Sequence, residues 1–119
     1  MGFKLDCRMV EVTTFRQEAY TKGSRKPTVE FVDDVTKDLS RRDFTINSLY
    51  YNLATKSVED HTGQGIKDIN EKVIRLIVAP QEHWERLGIV SAEQANKKSL
   101  SDDPLRALRA VRFAMRFGF

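Results

Sequence analysis

The sequence lacks several features that would assign a protein to a class at once. It has a single cysteine in 119 residues, Cys7, so an internal disulfide is impossible and no second thiol exists for a zinc cluster. No run approaches the ~20 apolar residues of a membrane span, and the N-terminus has no basic segment followed by an apolar one. These absences favour a soluble intracellular protein without membrane contact, in the cytoplasm or in an organellar or nuclear pool. We expect Cys7 to be a small core residue.

A strong excess of one charge sign is also missing. The 20 Lys and Arg residues are offset by 17 Asp and Glu residues, which leaves a net charge of +3 and a pI of about 9.1. An anionic partner must therefore be bound by local clusters of charge. The content of 40% hydrophobic and 31% charged residues is globular, and the length suits one domain with a modest core.

The first half of the chain alternates between strand and loop patterns. Near alternation of β-branched and apolar residues predicts a strand over roughly residues 8–15. Gly, Ser and Pro in "TKGSRKPT" (21–28) predict a loop, and "TVEFVDDV" predicts a short strand or turn. From Ser40 the apolar spacing becomes helical, which predicts a helix that includes Phe44, Ile46, Leu49, Tyr50 and Leu53. A turn at "ATKS" and a loop at "VEDHTGQG" follow.

The last segment, "DDPLRALRAVRFAMRFGF", predicts the clearest helix. Asp103 can cap it, Pro104 suits its first position and Gly118 can end it. One apolar face consists of Leu105, Leu108, Val111 and Met115. A second consists of Ala107, Ala110, Phe113, Ala114 and Phe117. The arc between them holds Arg106, Arg109, Arg112 and Arg116. A helix that is apolar on two sides is expected to be buried on two sides.

The segments before this helix are less distinct. An apolar run such as "INEKVIRLIV" fits either a helix or a strand, because a short run cannot be assigned by periodicity alone. Residues 80–101 are interpreted as a connection with about one helical turn.

Charge concentrates in "LSRRDFTINSLYYNL" (39–53). Arg41 and Arg42 lie at the start of the predicted helix, where unpaired N–H groups and the helix dipole favour an anion such as phosphate. Asp43 and Asn47 would share a helix face and could bind a sugar hydroxyl. Alternatively, Asp43 is an ordinary cap. The arginines would then pair in solvent with one of three nearby acids, Asp33, Asp34 or Asp38.

Three further polar residues allow two interpretations. Asp103 and Arg106 are either a cap and a surface arginine, or part of a site where the arginines of that helix bind an anionic ligand or RNA backbone. Glu11 is a lone carboxylate in a strand, and such a residue usually faces solvent. Composition and spacing do not separate these possibilities.

Four motifs occur in the order of a known family. They are "VEVTTFR" (10–16), "RRDFTIN" (41–47), "VEDHTGQGIKDI" (58–69) and "DDPLRALRAVRFAMRFGF" (102–119). In this order they resemble the class II tRNA nucleotidyltransferases (CCA-adding enzymes) and the bacterial poly(A) polymerases. The resemblance implies an α/β fold: a partial, polymerase-beta-like nucleotidyltransferase head with N-terminal strands, followed by neck helices. Residues 1–79 would be the C-terminal part of the head, 80–101 a connection or insertion, and 102–119 the first helix of the base-recognising neck.

The resemblance also implies an activity and its participants. Such enzymes add CMP and AMP, without a template, to tRNA 3′ ends from CTP and ATP, using two Mg²⁺ ions held by three carboxylates. Glu11 resembles the third carboxylate, which implies a catalytic, metal-binding role. Poly(A) polymerase, which adds AMP to RNA 3′ ends, shares all four motifs and stays an alternative.

Further roles follow from the same motifs. The motif "RRDxxxN", which implies binding of the triphosphate and ribose, corresponds to Arg41, Arg42, Asp43 and Asn47. Asp103 and Arg106 match "[ED]DxxR", which implies hydrogen bonds to the Watson–Crick edges of cytosine and adenine. Arg109 is similar to a residue that meets the phosphates. A flexible hinge that couples closure to the change from C to A addition corresponds to Asp60, Gly63, Gly65 and Asp68.

One family motif is missing from the sequence. A Gly-Gly turn followed by Asp-x-Asp should precede Glu11, and Asp6 is a single carboxylate rather than that pair. Two metals about 3.5–4 Å apart need more than one glutamate. We therefore expect this chain to be a fragment that is inactive alone, with another chain as a possible source of Asp-x-Asp. A non-catalytic nucleotide- or RNA-binding fragment, or a split-enzyme subunit, is the third alternative.

Overall fold

The described part of the chain mixes strands and helices, as predicted, with most strands in its first half and most helices in its second. The computed structural model describes residues 2–19, 28–31 and 33–119. Its strands form three antiparallel hairpins, in which β1 pairs with β2, β3 with β4, and β5 with β6. Their bounds are Gly2–Leu5, Arg8–Glu11, Arg16–Ala19, Thr28–Phe31, Leu49–Asn52 and Ser57–Asp60 for β1 to β6.

Five α-helices and two short 3₁₀ turns complete the described part of the chain. The helices α1 to α5 span Val35–Leu39, Gly65–Glu71, Trp84–Leu87, Ala92–Asp102 and Leu105–Phe117. The 3₁₀ turns are Thr45–Asn47 and Gln81–His83. Among the described residues, no helix combines the length and the apolar character needed to cross a membrane.

The first hairpin corrects two predictions. The strand predicted over residues 8–15 ends at Glu11, and residues 12–15 lead to β3 without regular structure. Cys7 is exposed rather than part of a core, because it lies with Asp6 in the tight turn between β1 and β2, where both have positive φ angles of 63° and 48°. Two left-handed residues in succession are typical of a hairpin turn. The loop predicted at 21–28 lies outside the described residues except for Thr28, and the strand predicted after it is β4.

The helix predicted from Ser40 is wrong. The chain makes a 3₁₀ turn at Thr45–Asn47 and then enters β5, whose Tyr50 pairs with Glu59 of β6. Two adjacent tyrosines favour a strand, and the pairing with β6 outweighs the helical spacing of the apolar residues. The turn predicted at "ATKS" (54–57) lies at 53–56, with Ser57 already in β6, and "VEDHTGQG" begins as β6 before its loop.

Residues 80–101 are more helical than predicted. The interpretation as a connection with about one helical turn is wrong, because this stretch contains a 3₁₀ turn, α3 and most of α4. Ser91 starts α4 by accepting a hydrogen bond from the Gln94 N–H, as an N-cap does. The run "INEKVIRLIV" is helical only as far as Glu71. Domain boundaries at residues 79 and 101 stay a prediction.

The last helix ends at the predicted glycine, begins at Leu105 directly after Pro104, and is partly covered on one side only. Asp103 Oδ1 accepts a hydrogen bond from the Leu105 N–H at 3.2 Å, and Gly118 ends α5 with φ of 69°. The face formed by Leu105, Leu108, Val111 and Met115 is exposed, with Leu108 at 67% and Met115 at 80%. The expected burial on two sides is therefore wrong, because no described element packs on that face.

One aromatic contact joins α5 to the turn that carries "RRDFTIN". Phe44 is 1% exposed and meets the ring of Phe113 edge to face, with centroids 6.0 Å apart. Backbone bonds hold the turn on its other side, from the Thr45 N–H to Arg75 O and from the Ile77 N–H to Asp43 O. Residues 41–47 and 103–109 therefore face each other.

Candidate functional site

A polar cleft of about 540 Å³ lies between the "RRDFTIN" turn and the start of α5. It is lined by Arg16, Arg41, Arg42, Asp43, Asn47, Asp103, Leu105, Arg106, Arg109 and Phe113. All seven residues predicted from the sequence to bind a nucleotide are in this set. Five arginines against two aspartates make the wall strongly cationic, which suits an anionic ligand.

The buried carboxylate of Asp38 holds two of the cleft arginines. Its Oδ1 accepts from Arg41 Nε at 3.0 Å, and its Oδ2 accepts from Arg42 Nη2 at 3.2 Å. Of the three acids proposed as their partners in solvent, Asp38 is thus the actual partner, but it is 0% exposed. Both arginines still line the cleft, so pairing with Asp38 and facing a ligand are compatible.

Two other groups complete the surroundings of Asp38. The backbone N–H of Arg16 donates to Oδ1 at 2.9 Å, and the Tyr50 hydroxyl donates to Oδ2 at 3.0 Å. Burial alone would raise the pKa of Asp38, but the Arg16 N–H, Arg41 and Tyr50 outweigh it, so the pKa of Asp38 lies below its ordinary value. Asp38 is therefore ionised at neutral pH.

Tyr50 also contacts Arg42 directly. Arg42 Nε donates to the Tyr50 hydroxyl oxygen at 3.2 Å, and the guanidinium carbon lies 5.3 Å from the ring centroid. Burial is the main reason that the pKa of Tyr50 is raised, and its hydroxyl therefore remains a hydrogen-bond donor at neutral pH. Strand β5 thus supplies a partner that fixes the direction of Arg42.

Asp43 links the turn to α5 instead of capping a helix. Its Oδ1 accepts from the Phe44 N–H at 2.7 Å and from Asn47 Nδ2 at 3.4 Å. Its Oδ2 accepts from Arg109 Nε at 2.6 Å, across 66 residues of sequence. The predicted proximity of Asp43 and Asn47 is confirmed, although the backbone between them is a 3₁₀ turn.

Arg106 is fixed at the inner end of the cleft. It is 5% exposed, and its Nη1 donates to both the carbonyl and the hydroxyl oxygen of Ser99, at 2.9 and 3.0 Å. Its Nη2 donates to the Arg41 carbonyl at 3.4 Å. Asp103 caps α5 with Oδ1, which leaves Oδ2 without a hydrogen bond from any described residue. Arg106 is therefore not the surface arginine of the simpler interpretation.

Three lining residues were missed by the sequence reasoning. Arg16 belongs to "VEVTTFR", of which only Glu11 was considered, and Leu105 and Phe113 were assigned to apolar packing. Phe113 lies 5.3 Å from the guanidinium carbon of Arg109 and stacks on Phe117. The position of Phe113 one turn beyond Arg109 was the available signal.

Glu11 does not line the cleft. It is exposed at the end of β2, opposite Gly2 of β1. Among the residues that the structure describes, no three His, Cys, Asp or Glu side chains form a group that could hold a metal ion. The described residues do not by themselves fit a two-metal site, so the metal role of Glu11 stays a prediction.

The predicted hinge residues extend from the end of β6, through the loop, into α2. The Asp60 carboxylate accepts from the N–H groups of Gly65 and Ile66 and from the Thr62 hydroxyl. Although burial opposes it, these donors hold the pKa of Asp60 below its ordinary value. A Cβ on Gly65 would lie 2.8 Å from Thr45 O, whereas Gly63, with φ of 70°, faces open space. These contacts stiffen the segment, and its role as a hinge stays untested.

Asp68 forms a second buried network, which the sequence did not indicate. Arg75 donates to it through Nε at 2.9 Å and Nη2 at 3.2 Å, and the Thr45 hydroxyl donates at 2.6 Å. The Arg75 hydrogen bond is the main reason that the pKa of Asp68 is lowered, and the Thr45 hydroxyl adds to this against the effect of burial. Asp68 thereby anchors α2 to the "RRDFTIN" turn.

Comparisons with known proteins agree on one family. The family described as "Poly A polymerase head domain" matches residues 2–75. The chain is 34% identical to tRNA nucleotidyltransferase cca1 of Schizosaccharomyces pombe over 92% of its own length and 19% of that protein. It is 36% identical to Poly(A) polymerase I of Escherichia coli, over 92% of the chain and 22% of the relative. The chain thus spans about a fifth of the length of these relatives.

A solved structure of a CCA-adding enzyme, described as its apo form II, has a similar fold. It aligns with a TM-score of 0.67 and 32% identity, covering 93% of this chain and 22% of that one. The alignment extends beyond the matched head domain and therefore includes helices after residue 75.

Proposed function

This chain belongs to the family of the poly A polymerase head domain, and on that premise we propose that its cleft binds the nucleoside triphosphate used in template-independent nucleotidyl transfer to tRNA 3′ ends. In that reaction the RNA 3′ hydroxyl oxygen forms a bond to the α-phosphorus of CTP or ATP, and pyrophosphate leaves. One observation carries the proposal: residues 41–47 and 103–109, far apart in sequence, line one cationic cleft.

The charge of the cleft suits a triphosphate. Arg41, Arg42 and Arg109 lie on its wall, and a guanidinium can donate two parallel hydrogen bonds to phosphate oxygens. Asp43 accepts from Arg109, and an incoming phosphate can replace it as the partner of that guanidinium. We assign the triphosphate to these arginines and the ribose to Asp43 and Asn47.

The inner end of the cleft suits a base. Asp103 offers its Oδ2 as an acceptor, and Arg106 is a donor fixed by Ser99. An acceptor and a donor on the wall of one cleft suit the Watson–Crick edge of cytosine or adenine, whose amino group donates and whose ring nitrogen accepts. GTP and UTP present a carbonyl in place of the amino group and are expected to bind more weakly.

Calorimetric titration with CTP, ATP, GTP and UTP in the presence of Mg²⁺ tests the proposal. The key variant is Asp103→Asn, which retains an oxygen to cap α5 but replaces a carboxylate acceptor with an amide. The matched control is Asp102→Asn, since the neighbouring Asp102 pairs with Lys98 and does not line the cleft. We expect the preference for CTP and ATP to disappear in the first variant only. Equal binding of all four nucleotides by wild type would contradict the assignment of the base.

Addition of poly(A) is the second candidate, favoured by the identity with the Escherichia coli polymerase. Sequencing of the products made from CTP and ATP by the whole protein distinguishes the two. Incorporation of C supports CCA addition, and A alone supports poly(A) synthesis. The 119-residue chain by itself is expected to transfer nothing, because Glu11 is the only carboxylate assigned to metal binding. Transfer that begins on mixing with a chain carrying Asp-x-Asp would identify a split enzyme.

A further inference from the structure

The carboxylate of Asp38 accepts hydrogen bonds from several of the arginines that line the cleft. It lies in α1, outside the four motifs and outside the cleft lining, and its side chain is fully buried. Four groups donate to its two oxygens, from Arg16, Arg41, Arg42 and Tyr50. Three of these four residues line the cleft, and they come from β3 and from the "RRDFTIN" turn.

We propose that Asp38 is a positioning residue that sets the direction of Arg41 and Arg42 for binding the triphosphate. This inference rests on the proposed function and assigns a role to a residue that touches no ligand. An arginine side chain has several rotatable bonds, and ordering it costs free energy each time a ligand binds. A carboxylate that holds both guanidinium groups in advance removes that cost from the binding step.

Each of the two carboxylate oxygens of Asp38 binds a different arginine. Oδ1 binds Arg41 and the backbone of Arg16, whereas Oδ2 binds Arg42 and the Tyr50 hydroxyl. Each arginine donates to Asp38 through only part of its guanidinium. The other N–H groups of the guanidinium can donate to a ligand in the cleft. A buried carboxylate with fewer donors would be costly, so the four bonds also explain why an ionised Asp38 is tolerated there.

The substitution Asp38→Asn separates these contacts. The amide oxygen can still accept from Arg16 and Arg41, but the amide NH₂ then faces Arg42 Nη2, which is also a donor. Asp34→Asn is the matched control, since Asp34 caps the same helix through Thr36 and touches no cleft arginine. Asn is as good a cap as Asp, so the control retains α1.

Two measurements are needed. NMR spectra of the arginine Nε–Hε groups report on Arg41 and Arg42 without any nucleotide. Calorimetry with CTP and CMP in the presence of Mg²⁺ reports on the phosphates. In Asp38→Asn we expect the Arg42 Nε–Hε signal to shift or broaden, CTP to bind about tenfold more weakly, and CMP to change less than about twofold. Asp34→Asn should match wild type in all three.

A double-substitution cycle with Arg42→Ala tests whether Asp38 acts through that arginine. If it does, Asp38→Asn should weaken CTP binding much less in the Arg42→Ala background than in wild type. Should Asp38→Asn fail to fold, Tyr50→Phe replaces it, because this removes one donor from Oδ2 and the acceptor of Arg42 Nε. Its CTP affinity should fall with that of CMP unchanged.

The outcomes separate this inference from the proposed function. Unchanged Arg42 signals and unchanged CTP affinity in Asp38→Asn would overturn the positioning role while leaving the proposed function intact. An equal loss of CTP and CMP binding would show a general structural role and would also overturn it. A wild type that binds no nucleotide would overturn the proposed function, and the role of Asp38 in binding with it, even if the arginine signals move.

Discussion

Arg109 of α5 donates to the carboxylate of Asp43 at 2.6 Å, and the two residues are 66 positions apart in the sequence. Together with the contact between Phe44 and Phe113, this bond joins the two sides of the cleft. The Arg109 side chain is 49% exposed and the Asp43 side chain 12% exposed. Water therefore partly screens the pair. We expect Arg109 to contribute more to the free energy of ligand binding than to the free energy of unfolding.

Arg109→Ala should accordingly separate binding from stability. We expect the free energy of unfolding to fall by less than about 1 kcal/mol, as for other exposed ion pairs. CTP binding should weaken by about tenfold, because the guanidinium proposed to bind phosphate is lost. Chemical denaturation and calorimetry measure the two effects. Arg112→Ala is the control, since the Arg112 side chain is exposed on the same helix and bonds to no other described residue. An equal loss of CTP binding in both variants would argue for a general electrostatic effect.

Gly65 should tolerate no side chain, whereas Gly63 should tolerate asparagine. A Cβ at Gly65 would lie 2.8 Å from Thr45 O and 2.9 Å from Leu49 Cδ2, so Gly65→Asn should destabilise by about 1–3 kcal/mol. Gly63 needs only a positive φ, which Asn adopts readily, so Gly63→Asn should cost less than about 1 kcal/mol. Thermal and urea unfolding of the two variants provide the comparison. Similar losses at both positions would contradict the packing at Gly65.

Arg75→Ala should be more damaging than the loss of an exposed ion pair. It leaves the buried Asp68 carboxylate with the Thr45 hydroxyl as its remaining side-chain donor, and an under-satisfied buried group costs about 1–3 kcal/mol. Lys97→Ala is the control, because Lys97 and Glu93 form an exposed pair on α4. We expect that control to lie within about 0.5 kcal/mol of wild type in urea denaturation. A small effect of Arg75→Ala would mean that water replaces the guanidinium.

Stability should fall in acid partly because of Asp68. Its folded pKa is lowered from the ordinary value of 3.8, chiefly by Arg75, so its ionised form stabilises the fold above that value. The contribution is lost as the pH falls from 3.8 through the lower folded pKa. Urea denaturation of wild type and Asp68→Asn between about pH 7 and pH 2 measures this. The difference between them should be constant at neutral pH and should shrink in acid. A difference that does not change with pH would exclude the charge of Asp68 as its origin.

Local signals in the sequence were sufficient for part of the fold. The bond of Asp103 to the first turn of α5 and the glycine stop at Gly118 depend on neighbouring residues, and the structure contains both, although Pro104 is the N-cap residue. The helix predicted from Ser40 failed because pairing of β5 with β6 is a contact between separate segments. The partial covering of only one face of α5 likewise depends on which elements pack against it, because periodicity shows that a face is apolar without showing what covers it.

The sequence by itself determined which residues were candidates for the site. The motifs contain arginines, aspartates and an asparagine, which are side chains suited to phosphate and sugar, and the seven predicted binding residues all line the cleft. Only the tertiary structure decided how they are held. The Asp38 and Asp68 carboxylates are ordinary surface types in a sequence, and each becomes a fixed charge because folding removes it from water and surrounds it with donors. Arg41 and Arg42 are only three and four residues from Asp38, so the sequence suggests them as partners. Arg16 and Tyr50 at Asp38, and Thr45 at Asp68, come from separate segments that only the fold brings together.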